Sequence, residues 1–234
     1  MKCMLSAGYE KIFQICPCFR KGEKGHLHKE EFTMLEWYEK NASYLSLIAF
    51  TRELILYILD NVFKTRKIKV NQTEVNFNSE WQIISVEEMF AKFANTSTEK
   101  ALIDNMFEQI MVEKIEPNLP KTFPCILIDY PAECAAFSKF SENNKNIAER
   151  WELYIAGIEI ANTYSELTDP VEQKKRFAKF AKKRNEMNKV NTGFDPDFLS
   201  AIDYGLPVSA GCALGLDRLV MLLCNADNIS SVSF

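Results

Sequence analysis

Between Phe13 and Tyr38 the chain runs Phe-Gln-Ile-Cys-Pro-Cys-Phe-Arg, crosses a charged stretch containing Gly22 and Gly25, and returns as Glu31-Phe-Thr-Met-Leu-Glu-Trp-Tyr38. Both arms alternate apolar and polar side chains around a polar, glycine-containing loop, which predicts a long β-hairpin. Alternation across the pleat sorts the side chains. Gln14, Cys16, Cys18 and Arg20 share one face of the outgoing arm, and Phe32, Met34, Glu36 and Tyr38 one face of the return arm. Phe13, Ile15 and Phe19, with Thr33, Leu35 and Trp37, take the opposite side. An arginine, an acid, a tyrosine and a phenylalanine converging on one side of a hairpin whose other side is apolar predict a binding face backed by core. Pro17 cannot donate to a ladder, so it predicts an edge position or a bulge.

The rest of the chain supplies partners for that hairpin. Residues 1 to 12 read as a short lead-in. Apolar residues recurring at three and four predict a long amphipathic helix from Tyr44 to Phe63. Lys64 to Trp81 is polar and strand-like only in pieces, at Ile68–Val70 and Val75–Phe77. Ser85-Val-Glu-Glu88 is a capping box opening a short helix through Phe93, and a second helix is expected from Thr98 to Ile115, ended by Pro117 and Pro120. Phe123 to Tyr130 is an apolar run of strand length, buried on both faces. Trp151–Ile155 and Ile158–Asn162 predict two antiparallel strands joined at Ala156-Gly157. Asp169-Pro170 starts a helix to about Met187, Asp195-Pro196 another that stops at Gly205, and Val208 to Ala213 reads as a strand leading through Gly215 into a helix from Leu216 to Cys224. With no repeat, low-complexity tract or linker, residues 1–234 read as one α+β domain with a mainly antiparallel sheet flanked by helices.

Charge and cysteine content narrow the function. A net charge of −4 gives no general drive toward nucleic acid, which weighs against tRNA as a partner. Seven cysteines without framework spacing or a signal peptide read as reduced thiols of a cytoplasmic protein. No apolar run approaches the ~18 residues of a membrane span.

Three constellations carry chemistry. Gly211-Cys-Ala-Leu-Gly215 followed by Leu-Asp-Arg218 is a glycine-spaced strand-to-helix turn with an arginine in the first helical turn, a place where free N–H groups and the helix dipole suit a phosphate. The plain alternative is a tight turn before a core helix. Glu152, Glu159 and Glu166 form an acidic set within apolar surroundings, able to hold magnesium or else simply solvated. Strict alternation puts Glu159 and Asn162 on opposite faces, so a bulge or strand end is required between them if they act together. Cys16, Cys18, His26 and His28 allow a rival reading as a zinc site, although the spacing departs from the usual Cys-x₂₋₄-Cys and His-x₃₋₅-His. The lysine-rich run Lys174 to Arg184 reads as a solvated helix face, or less simply as a docking face for an acidic partner.

Phe19-Arg20-x-x-Glu23, His28 and Glu31-Phe-Thr-Met-Leu-Glu-Trp-Tyr38 resemble the second signature motif of lysine-type class II aminoacyl-tRNA synthetases, and Gly211 to Leu223 resembles their third motif. The wording Leu-Glu-Trp-Tyr is nearer still to the short paralogues of that family, the elongation factor P lysine ligases. The resemblance covers essentially the whole chain and implies an ATP-dependent aminoacyl ligase that activates lysine, or β-lysine, as an adenylate. It implies that Arg20 grips the α-phosphate, Phe32 stacks on adenine, and Arg218 lies over adenine and meets the γ-phosphate. Glu23, Glu159, Ile160 and Gly215 complete the implied ATP set, Glu152 and Glu159 the implied Mg²⁺ ligands. Tyr38, Asn162, Glu166 and Ala213 are the implied amino-acid pocket, with Glu166 pairing the substrate ammonium.

Within the family, the chain leaves no room for an anticodon-binding domain, and Ala213 stands where lysyl-tRNA synthetases have glycine. Both features favour elongation factor P over tRNA as the acceptor. The acid of the Phe-Arg-x-Glu pattern is displaced: Gly22 fills its slot and Glu23 follows. The family's first motif, a dimer-interface helix and strand, and its Ser-Pro-Glu loop have no counterpart here, so Met1 corresponds to an internal family position. Loss of that interface and of half the amino-acid site predicts an inactive or non-dimerising chain, whereas the full-length family is homodimeric. Three readings follow: an elongation factor P lysine ligase; a lysyl-tRNA synthetase catalytic fragment; and a non-catalytic remnant that binds ATP or a partner.

Overall fold

The computed structural model describes residues 1–186 and 193–233. In chain order the elements are α1 (Lys2–Ser6), β1 (Lys11–Phe19), β2 (Glu31–Lys40), α2 (Ser46–Ile58), β3 (Lys67–Val70), β4 (Thr73–Asn76), β5 (Gln82–Ser85), α3 (Val86–Met89), α4 (Thr98–Ile103), α5 (Phe107–Ile110), β6 (Cys125–Pro131), β7 (Ile147–Ile155), β8 (Ile158–Ser165), α6 (Pro170–Glu186), α7 (Pro196–Gly205), β9 (Ser209–Gly215) and α8 (Leu216–Leu223). Seven strands make one sheet in the order β1-β2-β9-β8-β7-β6-β5, antiparallel except for the β5–β6 pair; β3 and β4 form a separate hairpin. This is the α+β, mainly antiparallel architecture expected.

The two faces of the sheet have different cover. On one, Trp37, Cys212, Leu214, Trp151 and Leu153 meet Ile55 and Leu59 of the α2 segment and Leu219 and Leu222 of α8. On the other, α3 to α5 bring Phe90, Phe107 and Met111 onto Leu127, Tyr130 and Tyr154 at the β5–β7 end. Over β2, β9 and β8 that second face is left open. Trp151 has no exposed surface, and truncating such a residue costs about 3–5 kcal/mol through lost burial and the cavity left behind.

The hairpin forms in register, Phe13 opposite Trp37 through Cys18 opposite Phe32, so the faces sort as alternation dictates. Pro17 is tolerated because β1 is the edge strand and pairs only with β2. The apolar side is only half backed by core. Trp37 is buried, but Phe13, Ile15 and Phe19 on β1 are 73%, 57% and 70% exposed, because α2 stops at the level of β2 with Phe50 against Trp37.

Other departures are local. The helix expected over Thr98–Ile115 breaks after Ile103: Asn105 turns left-handed (φ 54°) while its N–H reaches Leu102 O and that of Met106 reaches Ala101 O. That paired closure is a Schellman ending, in which asparagine can stand for glycine. The chain resumes as α5 and a π-helical turn, Met111–Ile115. β5, beside the capping box, and the lead-in helix α1 were not anticipated. The expected end of α6 at Met187 lies outside the described residues, but the element itself forms, as do α7, α8 and the Ser85–Glu88 box.

Candidate active site

The open face is ordered in rows by strand pairing. Met34 on β2 lies opposite Gly215 on β9; Glu36 lies opposite Ala213, and Ala213 opposite Asn162 on β8; Tyr38 lies opposite Gly211, and Gly211 opposite Tyr164. Side chains from three strands therefore project into one groove, open to solvent. Arg20, Glu23, Phe32, Glu159, Ile160, Gly215 and Arg218 of the implied ATP set all line it, and so do Asn162 and Ala213, which the resemblance assigned to the amino-acid pocket. At its phosphate-type end the Arg20 guanidinium sits 5.2 Å from the Phe32 ring centroid and 3.5 Å from the Glu23 carboxylate. The displaced acid thus still reaches the arginine.

Glu159 and Asn162 share the groove because β8 is bulged. Leu153 pairs with Ala161, but Tyr154 pairs with Glu159, leaving Ile160 as the extra residue, itself buried. A bulge re-aims the residues beside it. The bulge required by alternation is therefore present.

Arg218 leaves the first turn of α8 and is fully engaged: Nη1 donates to Glu159 O at 3.0 Å and Oε2 at 3.1 Å, Nε donates to Leu27 O at 3.1 Å, and Nη2 meets His28 Nε2 at 2.8 Å. Burial and the Arg218 charge push His28 below the usual imidazole value, so its neutral ring faces the guanidinium. The helix is fixed to the hairpin by Asp217, whose carboxylate accepts the Thr33 N–H at 2.5 Å. Burial and the neighbouring Glu152 push Glu159 upward, with Arg218 pulling the other way.

Glu152 stands in the same row, opposite Asn162. It is buried, and its oxygens accept from Tyr130, from Tyr154 at 2.8 Å, from Arg150 at 2.5 Å and from Asn162 at 2.9 Å. Arg150 also reaches Asn162 Oδ1 at 3.2 Å and Cys134 O at 2.9 Å. Of the two implied metal ligands, Glu159 fits a hard cation at the groove, whereas Glu152 spends both oxygens on protein donors and would have to release Arg150 and Asn162 to share one. The zinc reading is not formed: His28 is spent on Arg218, and among the described residues no cluster of three or more His, Cys, Asp or Glu could hold a metal.

The other end of the face holds a second pocket. Tyr38 and Glu36 line it, together with Lys2, Gln14, Asp195 and Phe198. Burial and the charges of Glu166 and Glu36 raise the Tyr38 hydroxyl well above the ordinary phenol range, which keeps it a donor. Glu166 is buried, and its counter-ion is Lys2 at 2.6 Å. Sequence reasoning missed Lys2, Arg150, Asp217 and Tyr164, and named His28 within the second motif and as a zinc candidate without foreseeing its contact with Arg218. The alternation of Arg150 and Glu152 along β7 was the one available signal.

Comparison with known proteins identifies the family. The family described as tRNA synthetases class II (D, K and N) matches residues 1–234. The chain is 36% identical to an elongation factor P–(R)-β-lysine ligase of Buchnera aphidicola, over 99% of this chain and 73% of the relative. A ligase of the same name from Pseudoalteromonas translucida is 34% identical, over 99% and 73%. A lysine–tRNA ligase of Wigglesworthia glossinidia brevipalpis is also 34% identical, over 99% of this chain but 51% of that protein. The chain thus spans about half the length of that tRNA ligase.

Proposed function

Because the chain belongs to the class II tRNA synthetases (D, K and N), we propose that it is an ATP-dependent ligase that activates lysine or β-lysine and passes it to a lysine of elongation factor P. The observation that carries this reading is the convergence of two chemistries on one sheet face. Arg20, Phe32, Glu159 and Arg218 gather at one end, and Tyr38 lines the pocket at the other with the buried Glu166 beside it over Gly211, linked by the rows of β2, β9 and β8.

The chemistry needs positioning and charge neutralisation rather than a general base. A substrate carboxylate oxygen attacks the α-phosphorus, the bond to the β-phosphate oxygen breaks, and pyrophosphate leaves with its electrons. Arg20 neutralises the α-phosphate, Phe32 supplies the stacking surface for adenine, and Arg218 exchanges Glu159 and His28 for phosphate oxygens. Glu159 is the carboxylate that would hold a magnesium ion beside the phosphates. Transfer follows when a neutral amine attacks the adenylate carbonyl; the carbon–oxygen bond to AMP breaks and the amine proton goes to solvent. Tyr38 and Glu166 hold the side-chain ammonium meanwhile, and Ala213 narrows the middle row.

The acceptor is assigned to elongation factor P because the chain covers 73% of two ligases so named and carries a net charge of −4, unhelpful to tRNA binding. The exposed β1 face supports a homodimer, and the reduced thiols a cytoplasmic setting. Lysine-dependent ATP–pyrophosphate exchange, run beside (R)-β-lysine, tests the reading. Exchange should be seen with one or both, and Arg218→Ala and Glu159→Ala should each abolish it while leaving the fold. Exchange that survives either change would sink the assignment; charging of lysine tRNA in preference to elongation factor P would move the acceptor.

A further inference from the structure

We propose that Lys2 is a positioning residue for the amino-acid pocket: its ammonium holds one oxygen of Glu166 and leaves the other free for the ammonium of a bound lysine. This rests on the role given above to Glu166. Lys2 opens α1, a helix tied to α7 by the Ser6 hydroxyl, which lies within 2.7 Å of Ala201 O and 2.9 Å of Gly205 O. From there its Nζ comes to 2.6 Å from Glu166 Oε2 and stands 4.4 Å from the centroid of the Phe137 ring, a second contact that suits a cation. The two side chains are 15% and 0% exposed, so the pair is fixed and not a fluctuating surface contact.

The free oxygen is the second observation. Glu166 is buried and neither of its oxygens accepts a well-formed hydrogen bond; Oε2 has the Lys2 ammonium as its ion-pair partner, and Oε1 has no partner among the described residues. Oε1 stands beside the Tyr38 ring over Gly211, where an added Cβ would lie 2.9 Å from it and 2.3 Å from the ring. An unpartnered buried carboxylate oxygen is costly and needs an occupant. The other acids of the pocket are committed: Glu36 accepts from Gln14 at 2.9 Å, and Asp195 caps α7 through Asp197 N and Phe198 N. Burial raises the Glu166 pKa and Lys2 opposes it, so loss of Lys2 favours a protonated acid that no longer pairs an ammonium.

The opposite role, in which Lys2 occupies the seat of the substrate ammonium and must be displaced, predicts effects of opposite sign. Equilibrium binding of radiolabelled lysine and pyrophosphate exchange on the full chain separate them. Lys2→Met should raise both the Kd and the KM for lysine at least tenfold with the ATP KM within twofold, and Lys2→Arg should recover most of the loss. Unchanged or tighter lysine binding by Lys2→Met overturns the proposal. Acetylation of Lys2 by an N-hydroxysuccinimide ester, read by mass spectrometry on the unmutated protein, is independent of how the variants fold. Saturating lysine should leave Lys2 protected, and faster acetylation would mean displacement and overturn it. Faster acetylation in Glu166→Gln is expected from the pair, and an unchanged rate would dissolve it. A wild-type chain that binds no lysine, with Lys2 still protected by Glu166, would instead overturn the assignment of the pocket to lysine.

Discussion

Gly211 and Gly215 flank Ala213 on β9 and look alike in sequence, yet their surroundings demand different things. A Cβ on Gly211 would stand 2.3 and 2.5 Å from Tyr38 ring carbons, so the ring lies where a side chain would be. Gly211→Ala should therefore cost about 1–3 kcal/mol by overpacking and move Tyr38, raising the lysine KM more than the ATP KM; a melting temperature and KM equal to wild type would contradict this. At Gly215 the nearest atoms to a Cβ are 3.8 Å away, on Arg218 and Ile160, so the protein alone tolerates alanine there. His28 gives a pH signature. Its folded pKa is lowered by burial and by Arg218, so the stability of its neutral form is complete above the ordinary histidine value of roughly 6.5 and is lost as pH falls through the folded value. The melting temperature of the ligand-free protein should fall on acidification below about pH 6.5, and His28→Gln should flatten that fall; parallel profiles would remove His28 as the cause.

At the scale of elements, stability is distributed through caps and pairings that carry no chemistry. Ser85 ends β5 and begins α3; its hydroxyl accepts the Glu88 N–H at 3.2 Å while the Glu88 carboxylate accepts the Ser85 N–H at 2.9 Å. Ser85→Ala should lower the free energy of unfolding by about 1 kcal/mol in urea titrations and leave exchange kinetics unchanged. This box was legible in sequence because its two end residues, Ser85 and Glu88, satisfy each other. So were the hairpin faces and the need for an irregularity between Glu159 and Asn162, since strand alternation fixes them without knowledge of neighbours. The break after Ile103 was not, because Asn105 has the same apolar periodicity around it whether the helix continues or turns. Nor was the commitment of Glu152, which depends on Tyr130 and Tyr154 arriving from separate positions along the chain, or the pairing of Lys2 with a carboxylate far away in sequence. Residue types in a strand identify a candidate ligand; only tertiary packing decides whether its lone pairs are already taken.

At the scale of the whole molecule, the sheet ends in an unprotected edge. β1 pairs on one side alone, and Phe13, Ile15 and Phe19 project outward beside Phe50, which is 47% exposed. Soluble proteins seldom leave an apolar row on an edge strand in water, because both the side chains and the free ladder groups invite a partner. The row lies on the side of the sheet opposite the groove, with Trp37 and Leu35 behind it, so a partner there would brace the hairpin that carries Arg20 and Phe32 without covering the site. A second copy is the partner consistent with the homodimer proposed above. The wild-type chain should sediment as a concentration-dependent dimer, and Phe13→Asp should shift it to monomer while weakening ATP binding through a less rigid hairpin. A wild-type chain that stays monomeric over the accessible concentration range would assign this face to another segment or another protein. A dimer untouched by Phe13→Asp would place the interface elsewhere.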